Sequence, residues 1–198
     1  MTETIATARI ELLDADPPIW REVEVPVGIT LKVLHDIVQA VLGWQDSHLW
    51  EFTIARRRYG PRMRDVWGMD ETADAAKTCL ADVLRPRRTV IDYIYDFGDS
   101  WEHRIVLTRV RPAEEGAMYP RYVAGSGGAP PEDCGGLPGF YELLDAKADA
   151  KHPSHDEAEE WLGDYDPQAI DTARIARKLA RIAKRRAGAR TRRIPKVE

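Results

Sequence analysis

The chain has 198 residues, 43% of them hydrophobic and six of them tryptophan, enough apolar material for one sizeable core and a single domain. Its net charge of -4 hides a strong polarity: residues 174–198 hold eleven Lys/Arg against one acid, leaving 18 basic and 32 acidic residues before them, so a tail of +10 follows a body of -14. Two cysteines, Cys79 and Cys134, without a C-x-x-C partner exclude a disulfide scaffold or a cysteine-rich zinc module, and the absence of a run of about 18 apolar residues or an apolar leader predicts no membrane span and a cytoplasmic address.

Alternation of Ala6, Ala8, Ile10 and Leu12 with Thr7, Arg9 and Glu11 predicts a half-buried strand. After a turn at Asp14 to Pro18, Val23 and Val25 face away from Glu22 and Glu24 in a second strand that stops at Pro26 and Gly28. Thr30 then caps a helix over 31–42 with the stripe Leu31, Leu34, Val38, Val41 and Leu42, and Gly43 stands where a left-handed cap belongs. In the next strand His48, Trp50, Phe52 and Ile54 share one face. Residues 56–76 read as a strand end and a loop, and 79–84 as a short helix.

Residues 90–97 and 101–110 form an antiparallel hairpin around Gly98 and Asp99. Ile91, Tyr93, Tyr95 and Phe97 share one face of it, and Trp101, His103, Ile105 and Leu107 the apolar face of the return strand. The stretch 111–140 holds twelve of the 27 Gly and Pro residues and reads as a long loop. Three helices follow: 141–150, one capped by Ser154 with Glu157 and carrying Ala158, Trp161 and Leu162, and one capped by Asp166 with Pro167 first and Ile175, Leu179 and Ile182 as its stripe. Residues 188–198 have no stripe and read as mobile.

These elements predict an α+β fold, a single domain with an antiparallel sheet, flanking helices and a basic C-terminal helix, divided as 1–167 for the domain and 168–198 for the basic segment. The runs PPIWREVEVPVGITLKVLHDIVQAVLGWQDSHLWEFTI, YDFGDSWEH, PPEDCGGLPGFYELL and WLGDYDP together resemble the Ri-plasmid open-reading-frame-three-like family, which also supplies insertion-element passenger proteins. The resemblance covers roughly residues 5–171 and implies a compact α+β domain of the mobile-element type, with no reaction attached to it. Relatives carry a Cys before the PPED run where this chain has Ala129, which weakens any scheme built on a cysteine pair there.

The residues in which imidazole and carboxylate can converge are His48, Asp96, Asp99, His103, Glu132 and Asp133, with Trp101 beside them. Two histidines and one acid, Asp99 or Asp133, suit a metal-assisted hydrolase. A histidine alternating with Trp and Ile on a strand is more often a core residue, and no H-x-H or H-E-x-x-H spacing occurs, so no metal, cofactor or catalytic residue is expected. Gly135 and Gly136 read as turn residues, and Cys134 beside Glu132 and Asp133 as a poor nucleophile. None of the four serines lies in a G-x-S-x-G elbow. The favoured function is a non-catalytic binding module that contacts nucleic acid through Arg174, Arg177, Lys178, Arg181, Lys184, Arg185 and Arg186, with a protein-interaction domain as the other non-catalytic reading.

Overall fold

The computed structural model of the chain describes residues 3–62 and 72–192. In chain order these form strands β1 (Thr4–Leu12) and β2 (Ile19–Pro26), helix α1 (Leu31–Leu42), strands β3 (Trp50–Ile54), β4 (Arg57–Gly60) and β5 (Ala73–Asp74), and the short helix α2 (Leu80–Val83). Strands β6 (Thr89–Tyr95), β7 (Trp101–Pro112) and β8 (Arg121–Ser126) follow, then helices α3 (Gly136–Ala148), α4 (His155–Leu162) and α5 (Thr172–Arg192). The strands make one eight-stranded sheet in the order β5-β4-β3-β6-β7-β1-β2-β8, antiparallel except for the β4–β5 pair. The expected hairpin is its centre, with Tyr95 opposite Trp101 and Tyr93 opposite His103.

Side chains along β6 and the first half of β7 alternate between buried and solvent-facing, so one face of the sheet carries the core and the other stays open. Ion pairs occupy the open face, Arg104 with Asp92 and Arg9 with Glu11, each at 3.1 Å. On the buried face lies α1, capped at Thr30, whose hydroxyl accepts from Val33 N, and ended by Gly43 at φ 85°. Nine of its twelve residues are buried, more than a surface helix needs, because α5 packs on it and adds Ile175, Leu179 and Ile182 to the same core.

The structure departs from the sequence-based reading where long-range contacts decide. Part of 111–140 is ordered: β7 runs on to Pro112, β8 pairs with β2, and α3 starts at Gly136. Gly125, which reads as a loop residue, lies within β8 opposite Arg21, and a Cβ there would come 2.7 Å from Tyr122 Oη and 2.9 Å from Trp20 O, so the strand needs glycine at that position. Helix α5 begins at Thr172, five residues later than expected. Pro167 O accepts from Gly128 N, which ties the 166–169 turn to the glycine-rich segment, and Asp171 caps the helix by accepting from Arg174 N at 2.7 Å. It also continues to Arg192, past the point where a mobile tail was expected; residues 63–71 and 193–198 lie outside the described residues. Ser154 precedes α4 without a side-chain cap bond, and Trp161 and Phe97, both expected on apolar faces, are exposed.

Trp101, the first residue of β7, is fully buried. Replacing it with Ala should cost about 3 kcal/mol through the cavity left behind; urea unfolding measures this, and a loss below about 1 kcal/mol would move the side chain out of the core.

Candidate functional site

Three loops meet at one end of the sheet: 43–49 after α1, 96–100 between β6 and β7, and 130–136 before α3. Each is locally bent for the purpose. Asp46, Asp96, Ser100 and Asp133 all have φ between 54° and 60°, a conformation that short polar side chains tolerate best. Gly135 and Gly136 have φ of 84° and 67°, and a Cβ on Gly136 would lie 2.3 Å from Asp99 O. Only glycine permits that approach, so the pair acts as turn residues and also lets the third loop close on the second.

The bonds between these loops run through the candidate residues. Glu132 Oε1 accepts from Tyr95 Oη at 2.5 Å and from Ser47 Oγ at 3.3 Å, while its Oε2 accepts from Gln45 N at 2.9 Å. Asp99 Oδ2 accepts from Gly135 N at 3.2 Å, and Trp44 Nε1 donates to Pro130 O at 2.9 Å. His48 stands between two carboxylates, with Nε2 2.9 Å from Asp133 Oδ1 and Nδ1 3.5 Å from Asp96 Oδ2. The Nε2 approach lies outside hydrogen-bond geometry. His48, Asp96 and Asp133 place ligand atoms within 4.8 Å of one another, a set able to hold a cation.

Of the seven cluster residues, then, His48, Asp96 and Asp133 meet, Glu132 and Asp99 tie down the same loops, and Trp101 and His103 belong to the core. His48 precedes β3 instead of lying in it and is 28% exposed, a correction to its expected place on the apolar strand face. His103 is 1% exposed, with Nδ1 donating to Trp101 O at 2.9 Å. Strand β6 separates β3 from β7, so the two imidazoles do not share a site. Cys134 is buried and its thiol is pushed up to about 12, by burial first and then by Asp99 and Asp133, which removes it as a nucleophile at neutral pH.

Sequence reasoning passed over a second histidine network. His35 on α1 bonds Tyr93 Oη through Nδ1 at 2.8 Å and Asp46 Oδ1 through Nε2 at 2.7 Å, and it stacks on Trp50 with ring centroids 4.0 Å apart. Its position was a usable signal, since residue 35 falls four after Leu31 and three before Val38 on the apolar stripe. Both nitrogens are engaged, so its role is to join α1, the 43–49 loop and the sheet.

The basic residues of α5 divide into two groups. Arg174 donates to Gly43 O at 3.2 Å and Lys178 to Trp44 O at 2.9 Å, both at the carboxyl end of α1 where the helix dipole favours cations. Arg186 reaches Tyr119 O and Glu3, and Arg185 lies 3.9 Å from Asp36. These four, expected to face a partner, also contact their own domain, while Arg174 and Arg185 remain exposed. Arg177, Arg181 and Lys184 are exposed and pair with no acid among the described residues; their spacing of four and three puts them on one stripe.

Helix and sheet order, loop cluster and basic helix together define an α+β domain built on an open-faced antiparallel sheet. Its residues 4–174 match the family of plasmid pRiA4b ORF-3-like proteins, to which this chain belongs. The uncharacterized protein y4hQ of Sinorhizobium fredii is 36% identical over 204 residues, spanning 94% of this chain and all of that one. The crystal structure of MM3350 from Methanosarcina mazei Go1, a protein of unknown function, superposes with a TM-score of 0.79 at 31% identity, covering 86% of this chain and 97% of that one.

Burial lowers both His35 and His103 from an ordinary value of 6.5 to about 4, with Lys32 adding to the effect on His35. Between those values the unfolded chain takes up protons that the folded one refuses, so stability present above pH 6.5 is lost as pH falls towards 4. Urea unfolding at a series of pH values should show a slope approaching about 2.7 kcal/mol per pH unit for two protons. The slope should halve in a His103→Gln variant.

Proposed function

We propose that this chain is a non-catalytic binding module that contacts nucleic acid along the outer stripe of α5, in keeping with a mobile-element role. The observation that carries the reading is the stripe of Arg177, Arg181 and Lys184, a row of unpaired cations on a helix whose opposite side is docked through Ile175, Leu179 and Ile182. Docking holds the three side chains at fixed spacing, and each phosphate they neutralise releases counterions. The acidic body keeps the remainder of the surface off the polyanion. A cytoplasmic address belongs to the same reading, since both cysteines are free thiols. The hydrolase alternative needs His48 and His103 in one site, whereas His48 meets Asp96 and Asp133 and His103 is buried against Trp101 O.

Fluorescence anisotropy with a labelled duplex tests the proposal. Replacing Arg177, Arg181 and Lys184 with Ala should weaken binding and flatten the plot of log affinity against log salt by about 2.7, at about 0.9 per lost phosphate contact. Point variants serve better than truncation after Ile182, which would also remove Arg186 and its bonds to Tyr119 and Glu3. Absence of duplex binding at low salt, or an unchanged slope in the triple variant, would leave a protein partner as the reading.

A further inference from the structure

Arg21 is the one Lys or Arg buried among the described residues, at 2% exposure. Its Nε donates to Val41 O at 3.1 Å, and its Nη1 donates to Trp20 O at 2.8 Å and to Ser126 O at 2.9 Å. All three partners are main-chain carbonyls. Among the described residues Nη2 has no hydrogen-bond partner, and no carboxylate pairs with the guanidinium. A buried cation without an anion is costly, and a guanidinium does not escape by giving up its proton. The guanidinium therefore keeps its positive charge with only main-chain carbonyls around it, in a place where a low dielectric strengthens its attraction for an anion.

A cleft of about 390 Å³ opens beside it, lined by Arg21 together with Arg174, Tyr165 and Gly128. The glycine-rich segment forms part of its wall by close approach: a Cβ on Gly125 would lie 2.9 Å from Arg21 Cδ, and one on Gly128 would lie 3.1 Å from Tyr165 Oη and 2.7 Å from Asp166 O. The apolar part of the lining includes Ala129, Ala169 and Ile170. Asp166 and Asp171 also line it, but each has an oxygen committed to a main-chain N–H, of Gln168 and Arg174 respectively; together with Asp164 they place negative charge around the cleft. That charge disfavours a multiply charged phosphate and leaves room for one negative group on an apolar body.

We propose that this cleft binds a small monocarboxylate with an apolar body, its carboxylate held by Arg21. The site is separate from the outer stripe of α5 and stands whether or not that stripe binds nucleic acid.

Titration with butyrate, followed by nitrogen–proton NMR of the full chain, tests it. Saturable shifts are expected at the Gly128 and Ala169 amides and at Arg21 Nε, with inorganic phosphate at equal ionic strength producing none. Arg21→Met should weaken butyrate binding about tenfold or more, the loss of one charge-assisted contact. Because that variant also loses three main-chain bonds, Ala169→Phe, which fills the cleft and keeps Arg21, provides the second arm and decides alone if Arg21→Met does not fold. No saturable shift with butyrate, phosphate binding as tight as butyrate, or butyrate binding unchanged in the folded variants would overturn the proposal.

Discussion

An eight-stranded sheet with one apolar face has to cover that face, and the way α1 does so determines much of what surrounds it. The helix is buried on the side that meets the strands and again where α5 lies across it. Burying polar His35 and Gln39 on such a helix requires partners, and Tyr93 and the 43–49 loop supply them: Gln39 Nε2 donates to Tyr93 Oη at 3.2 Å, and its Oε1 accepts from Asp46 N at 3.0 Å. The loop that follows α1 is thereby held against the sheet. Its other contacts, from Gln45, Ser47 and His48, collect the acidic loop before α3.

Features with a local cause were legible in the sequence. The Thr30 cap, the Gly43 terminator and the α1 stripe involve neighbours within one or two turns, and the hairpin at 96–100 follows from alternation and a short polar turn. Strand β8 was not legible, because its pairing with β2 and its glycine are explained by Arg21, Trp20 and Tyr122, one of which lies in the strand itself and two about a hundred residues away. The true start of α5 was hidden for the same reason: Asp166 and Pro167 look like a cap and a first turn until Gly128 claims the Pro167 carbonyl.

The candidate site shows the same division. Residue types picked out His48, Asp96, Glu132 and Asp133, since carboxylates and imidazoles in bent loops are recognisable one by one. Pattern placed His48 on a strand face by extending the Trp50, Phe52, Ile54 alternation two residues too far, and so paired it with His103. Only strand order reveals that β6 intervenes. Arg21 passed unnoticed because arginine is ordinarily a surface residue, although the alternation puts it on the face of Val23 and Val25; the groups that satisfy it there, at the carboxyl end of α1 and in β8, are distant in sequence.

The open sheet face neutralises itself through Arg9 with Glu11 and Arg104 with Asp92, whereas the helix crossing α1 retains a surplus of one sign. A helix that carries one sign on an otherwise acidic chain gives the molecule's charge a direction. Near any strongly charged surface it experiences a torque before it experiences contact, and it turns one particular side forward. Orientation is then settled during diffusion, within the roughly 8 Å over which physiological salt leaves charges visible to one another.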